Sequence, residues 1–86
     1  RSSIVIALSD LGDACNRAGD YHRAIEHYDA SLAMCYKEID GDRPHPYVAI
    51  RLMDIAIACN KLGKYGEAIE YHSRSAVVFN EVYGDQ

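Results

Sequence analysis

Residues 6–31, IALSDLGDACNRAGDYHRAIEHYDAS, return as residues 50–75, IRLMDIAIACNKLGKYGEAIEYHSRS, at an offset of 44 positions. Ile6 meets Ile50, Leu8 meets Leu52 and Asp10 meets Asp54. Ala14-Cys15-Asn16 meets Ala58-Cys59-Asn60, Gly19 meets Gly63, Tyr21 meets Tyr65, Ala24-Ile25-Glu26 meets Ala68-Ile69-Glu70, and Ser31 meets Ser75. Beyond that the offset falls to 43: Glu38 meets Glu81 and Gly41-Asp42 meets Gly84-Asp85, so the second unit is one residue shorter between Ser75 and Glu81. Self-similarity at this period marks a supersecondary unit used more than once.

Each unit reads as a pair of helices. Ile4, Leu8, Leu11, Cys15 and Ala18 recur at steps of three and four, the spacing of one helix face. Ser2 or Ser3 supplies a side-chain oxygen for the first backbone N–H groups. Gly19-Asp20 breaks this helix, because glycine enters the left-handed conformation that ends one. A second stripe runs Tyr21, Ala24, Ile25, Tyr28, Ser31, Leu32, Cys35, Tyr36, Ile39 and stops at Gly41-Asp42-Arg43-Pro44-His45-Pro46, where two prolines cannot continue a helix. His45, between them, is expected to help terminate it. The second unit repeats the plan: Val48, Leu52, Ile55, Ala56, Cys59 and Leu62, a turn at Gly63-Lys64, then Tyr65, Ala68, Ile69, His72, Ser75, Ala76, Phe79 and Val82. No segment alternates with the period of a strand. Small residues (Gly12 and Ala56 in the first helices, Ala24, Ala68, Ser31 and Ser75 in the second) mark the close crossings, and Tyr21 and Tyr65 are placed to wedge the helices apart at the turns.

With 86 residues there is room for one small domain. The net charge of −4, with its nine positive side chains scattered, is a poor match to a phosphate backbone or an anionic membrane surface. No apolar run is long enough for a membrane span, and no basic stretch followed by an apolar one is in view, so a signal peptide is not expected. Cys15, Cys35 and Cys59 are odd in number and lack paired spacing, which fits buried thiols in a reducing compartment such as the cytoplasm better than a disulfide or zinc scaffold. His22 and Glu26 stand four apart on one helix, but two ligands do not make a metal site, and a solvated pair is the simpler reading. His27 and His72 read as packing residues with a polar edge. No nucleophile–base arrangement or glycine-rich phosphate loop is present, so no catalytic residue, metal or cofactor is assigned.

The set Leu8, Leu11, Gly12, Cys15, Gly19, Tyr21, Ala24, Tyr28, Ser31, and its second copy Leu52, Ile55, Ala56, Cys59, Gly63, Tyr65, Ala68, His72, Ser75, resembles the tetratricopeptide repeat. The departures are cysteine for the usual tyrosine, Ala56 for glycine and serine for the last alanine. The resemblance implies an all-α fold: two tandem helix-turn-helix hairpins of four antiparallel helices, a piece of an α-solenoid. Repeat one runs over about residues 3–43 and repeat two over about residues 46–86. The unit exceeds the roughly 34 residues usual for this repeat. Its length and its Gly-Asp…His-Pro link resemble the repeats of kinesin light chains, and Ala68-Ile69-Glu70-Tyr71-His72 is similar to repeats of spindle-orientation adaptors that bind GoLoco-motif signalling proteins.

The resemblance further implies a protein-interaction module, not an enzyme, with an inner groove lined by the first helix of each hairpin. The inward positions are Ile6, Ser9, Asp13, Asn16 and Arg17 in unit one and Ile50, Met53, Ile57, Asn60 and Lys61 in unit two. Asn16 and Asn60 each offer a donor and an acceptor to an extended peptide. Met53 and Ile57 are apolar beyond what the core stripe needs, which suits a peptide side chain or, equally, packing on a neighbouring repeat or chain. Ser9, Asp13, Met53 and Ile57 do not supply the lysine–asparagine clamp that one mode of the family uses for a C-terminal carboxylate. Repeat arrays gain stability from neighbours and end in a polar cap. Two units without a cap are expected to belong to a longer array and, alone, to self-associate as a homo-oligomer through apolar surface among Ala76, Val77, Val78 and Phe79, exchange of hairpins being one route. The expected partner is a protein or peptide, not nucleic acid or membrane.

Overall fold

The computed structural model describes residues 3–38 and 45–84. Among them are four helices and no strand: α1 (Ser3–Arg17), α2 (Tyr21–Glu38), α3 (Pro46–Lys61) and α4 (Tyr65–Tyr83). Each helix packs on the next, α1 on α2, α2 on α3 and α3 on α4. The all-α expectation of two antiparallel hairpins therefore holds.

The two hairpin turns are copies of one another. Gly19 and Gly63 have φ of +82° and +80°, a conformation that costs glycine nothing and other residues a steric penalty. The Asp20 N–H donates to the Cys15 carbonyl at 2.9 Å, and the Gly19 N–H donates to that of Asn16 at 3.1 Å. Lys64 donates to Cys59 at 2.9 Å and Gly63 to Asn60 at 3.0 Å. This is the Schellman closure, which satisfies carbonyls that the end of a helix leaves open. The starts of the following helices differ. Asp20 Oδ1 accepts from the Arg23 N–H at 3.3 Å, whereas Lys64 makes no side-chain cap.

His45 does not end α2. It caps α3, with Nδ1 accepting the Tyr47 N–H at 3.1 Å, and Pro46 occupies the first turn, where its missing N–H is no loss. The proposed α1 cap at Ser2 and the Ile39–Pro44 link lie outside the described residues.

The core centres on Val5, Ala24, Tyr28, Leu32, Cys35, Val48, Leu52, Ile55, Cys59 and Ala68. The stripe read for the second hairpin's first helix is buried at Val48, Leu52, Ile55, Ala56 and Cys59 and half-buried at Leu62, just past the helix end. In α1 the reading is rotated. Val5, Ser9 and Gly12 are buried, while Ile4 and Leu11 are 56% and 46% exposed. The closest crossing of α1 on α2 takes the small side chains, and the large aliphatic ones lie on another face. Tyr65 and His72 are likewise exposed and do not wedge or pack, in contrast to the half-buried Tyr21 and buried Tyr28 at the same places in the first hairpin. His22 and Glu26 are both exposed, and His27 is half-buried.

Two serines tie each second helix to its own first helix in the same way. Ser31 Oγ donates to the Val5 carbonyl at 3.0 Å, and Ser75 Oγ donates to the Ala49 carbonyl at 2.7 Å. Both serines are buried. A hydroxyl there takes the space of the family's usual alanine and adds a bond from one helix to the other.

Candidate functional site: the face shared by α1 and α3

Helices α1 and α3 are joined side by side. Arg51, on α3, donates from Nη1 to the hydroxyl of Ser9 on α1. The Tyr47 hydroxyl lies 2.8 Å from Ser31 Oγ and 3.3 Å from the Val5 carbonyl, and shares its one proton between them, since Ser31 Oγ gives its own to that carbonyl. The Arg51 guanidinium sits over two rings, 5.6 Å from the centre of Tyr28 and 5.1 Å from that of Tyr47. A cation against two aromatic faces is attracted by their quadrupoles, and its stem is shielded by the same contact.

Two carboxylates complete this junction. Arg51 Nη2 lies 3.1 Å from Asp54 Oδ2. The alignment leaves Asp54 Oδ2 and Arg51 Nε without hydrogen-bond partners, so the pair is held by charge alone. Burial pushes the Asp54 carboxyl above its ordinary range, Arg51 pulls it back, and Asp13 pushes it up again. The Tyr28 hydroxyl donates to Asp13 Oδ1 at 2.5 Å. Burial, and next this hydrogen bond, hold the Tyr28 phenol far above its usual range, so it stays a donor at any physiological pH.

The residues assigned to the groove separate into three groups. Ile6, Ile50 and Ile57 are exposed, 48%, 37% and 39%, with Met53 half-buried beside them. Arg17, Asn60 and Lys61 are exposed near the C-terminal ends of the two helices, and Asn16 is half-buried there. Ser9 and Asp13 are committed to the junction: Ser9 is buried against Arg51, and Asp13 is half-buried under the Tyr28 hydroxyl. Free polar capacity on this face therefore belongs to the asparagines and the terminal cations.

The sequence reading had no role for Arg51, Tyr47 or Asp54. A signal was available in the places where the two units disagree. Tyr47 stands where the first unit has Ser3, Arg51 where it has Ala7, Met53 where it has Ser9 and Ile57 where it has Asp13. Tyr47 and Arg51, which join the two helices, are thus among the places where the second unit departs from the first.

Cys35 and Cys59 are buried and Cys15 is half-buried, all three as free thiols. Burial pushes the Cys59 thiol up, which disfavours the thiolate needed for chemistry. Among the described residues no three His, Cys, Asp or Glu side chains are grouped to hold a metal ion, and no helix is long and apolar enough to cross a membrane.

A family model for the tetratricopeptide repeat matches residues 3–81. The chain belongs to the tetratricopeptide repeat family, whose members are in general protein–protein interaction modules and typically not catalytic. Neither the curated proteins nor the solved structures give a significant match.

Proposed function

We propose that this chain holds an extended segment of another protein on the face shared by α1 and α3. The observation that carries the reading is the exposure of large aliphatic side chains, Ile6 on α1 and Ile50 and Ile57 on α3, on two helices that also carry Asn16, Asn60, Arg17 and Lys61. Large aliphatic groups left open on two joined helices bury apolar area on contact, at about 25 cal/mol per Å². The asparagines offer backbone-type hydrogen bonds that fix the register of a bound strand. Arg17 and Lys61 sit at the negative ends of α1 and α3, and suit an acidic group at one end of the ligand.

The long unit and the Gly-Asp…His-Pro link support a kinesin-light-chain-like subtype, and hence an adaptor that carries a cargo or partner protein. Three free thiols support a reducing compartment, the cytoplasm. The mild acidity of the chain argues for a protein partner over nucleic acid or a membrane surface.

The test is amide chemical-shift mapping with a bound peptide obtained by selection. The expected shifts cluster at Ile6, Ile50, Ile57 and Asn60. Shifts confined to α4 would refute this face as the site.

A further inference from the structure

Helix α3 starts on a side chain whose charge depends on pH. Pro46, in its first turn, has no N–H to donate. The N–H groups of Val48 and Ala49 reach the His45 carbonyl at 3.1 and 3.5 Å. The Tyr47 N–H donates to the ring itself, 3.1 Å from Nδ1. A nitrogen that accepts carries no proton, so this contact requires the neutral imidazole with its proton on Nε2. Asparagine and serine, usual at this place, cap through an oxygen that does not titrate near neutrality. With His45 the same cap becomes conditional on pH.

A second proton on the ring reverses the contact. Both ring nitrogens are then donors, so Nδ1 and the Tyr47 N–H meet as two donors. The ring also becomes a cation at the positive end of the α3 dipole. Both effects oppose protonation of the cap as built, so the folded chain takes this proton less readily than the unfolded one. By linkage, the stability the cap supplies is fully present above the pH at which a free imidazole titrates, about 6.5, and is lost as the pH falls below it.

Tyr47 carries the change into the seam. Its hydroxyl lies 2.8 Å from Ser31 Oγ on α2 and 3.3 Å from the Val5 carbonyl on α1, and the Arg51 guanidinium stands 5.1 Å from the centre of its ring. The residue whose N–H the cap holds is thus the one that reaches both helices of the first hairpin. The other ionisable residues at this end are of types that titrate elsewhere. On α3 itself these are Tyr47 and Arg51, in the last turn of α2 Cys35, Tyr36, Lys37 and Glu38, and near the end of α4 Glu81 and Tyr83. Helix α1 has none before Asp10, and Asp40, Asp42 and Arg43 precede His45 in the sequence. In water, carboxylates titrate below about pH 5 and thiols, phenols and amines above about pH 8, which leaves the interval between to imidazole.

We infer that His45 is an acid-sensitive clasp: on taking up a proton it releases the first turn of α3 and loosens the Tyr47 contacts that join the two hairpins. The device is independent of what the α1–α3 face binds. It works over the mildly acidic range, in which the unprotonated ring holds the junction and the protonated ring lets it open.

Two measurements test this. The first is an NMR titration of the chain from about pH 8 to about pH 5, the range that brackets imidazole. The nitrogen shifts of His45 are expected to show Nδ1 bare at the upper end, and the amide signals of Tyr47 and Ser31 to move with the titration of the ring. The second is urea unfolding across the same range, beside His45→Asn, which keeps an acceptor that does not titrate there. His22, His27, His72, Asp13 and Asp54 are common to both proteins, so their titrations drop out of the comparison. The folding equilibrium constant of the parent is expected to fall about five-fold relative to that of His45→Asn on going to the acid end, the loss of roughly one cap. If His45→Asn folds poorly, the titration of the parent still decides. A proton on Nδ1 at the upper end, Tyr47 and Ser31 amides that ignore the ring, or the same pH dependence in parent and variant would overturn the inference.

Discussion

A methyl group added to Gly12 would lie 2.7 Å from Cε1 and 2.8 Å from Cδ1 of the Tyr28 ring. Tyr28 is 1% exposed and its hydroxyl is tied to Asp13, so the ring has little freedom to yield. The second hairpin solves the same crossing differently, with Ala56 buried and His72, in the place of Tyr28, turned out to solvent. The glycine and the tyrosine thus belong together, as do the alanine and the histidine.

Gly12→Ala is therefore expected to destabilise the chain. Overpacking costs ~1–3 kcal/mol, and the better helix propensity of alanine returns up to about 1 kcal/mol. The net loss is about 1 kcal/mol or more by urea unfolding. In a Tyr28→His background the phenol ring is replaced by the smaller imidazole that the second hairpin turns out to solvent, and the same substitution becomes neutral or stabilising. A double-mutant cycle reads the difference directly. Equal costs in both backgrounds would show that the ring is not what demands the glycine.

The paired serines give a second prediction. Ser75→Ala removes one buried hydrogen bond, at about 1 kcal/mol. Ser31→Ala removes the equivalent bond and also the contact with the Tyr47 hydroxyl, which joins the two hairpins. Its cost is expected to be larger, roughly 1–3 kcal/mol. Denaturant midpoints for the two variants rank them, and a larger loss for Ser75→Ala would contradict the assignment of Ser31 to the seam.

Much of this architecture was legible from the repeat alone. Both turns, both glycines and the stripe of α3 follow from spacing. The α1 stripe did not, for a physical reason. A search for large apolar side chains found Ile4 and Leu11, which lie on a face that no other described helix covers. The positions of α1 that meet α2 include Val5 and Gly12, and the third buried position, Ser9, meets Arg51 of α3; Ser9 and Gly12 carry no hydrophobic signal. The resemblance put Ser9 and Asp13 among the inward positions of the first helix but gave no sign that they were engaged. Their partners, Arg51 and Tyr28, come from other helices, and a single-helix pattern does not register a contact of that kind.

The seam carries a pH signature. The Asp54 carboxyl is raised above its ordinary 3.8, first by burial and then by Asp13, with Arg51 opposing. An acid whose folded pKa is raised costs stability when ionised. That cost is fully present above the folded pKa and is relieved as pH falls toward 3.8. Asp54→Asn is expected to remove this component from the stability–pH curve. Arg51→Ala takes away the opposing charge, so the Asp54 carboxyl, followed by carbon-detected NMR, should titrate at still higher pH. It also leaves Asp54 and Ser9 without their cation, and the chain loses stability at neutral pH. An unchanged Asp54 titration in Arg51→Ala would contradict the ion pair.

The most direct test of the α1–α3 face as a recognition surface is a peptide-library selection against the purified chain, run beside the Met53→Lys/Ile57→Lys variant. Met53 is half-buried and Ile57 39% exposed, so the helices should tolerate both changes. The expected result is a shared peptide motif enriched by the parent and lost by the variant at unchanged helix content. Enrichment of the same motif by both proteins would place recognition elsewhere and contradict the reading.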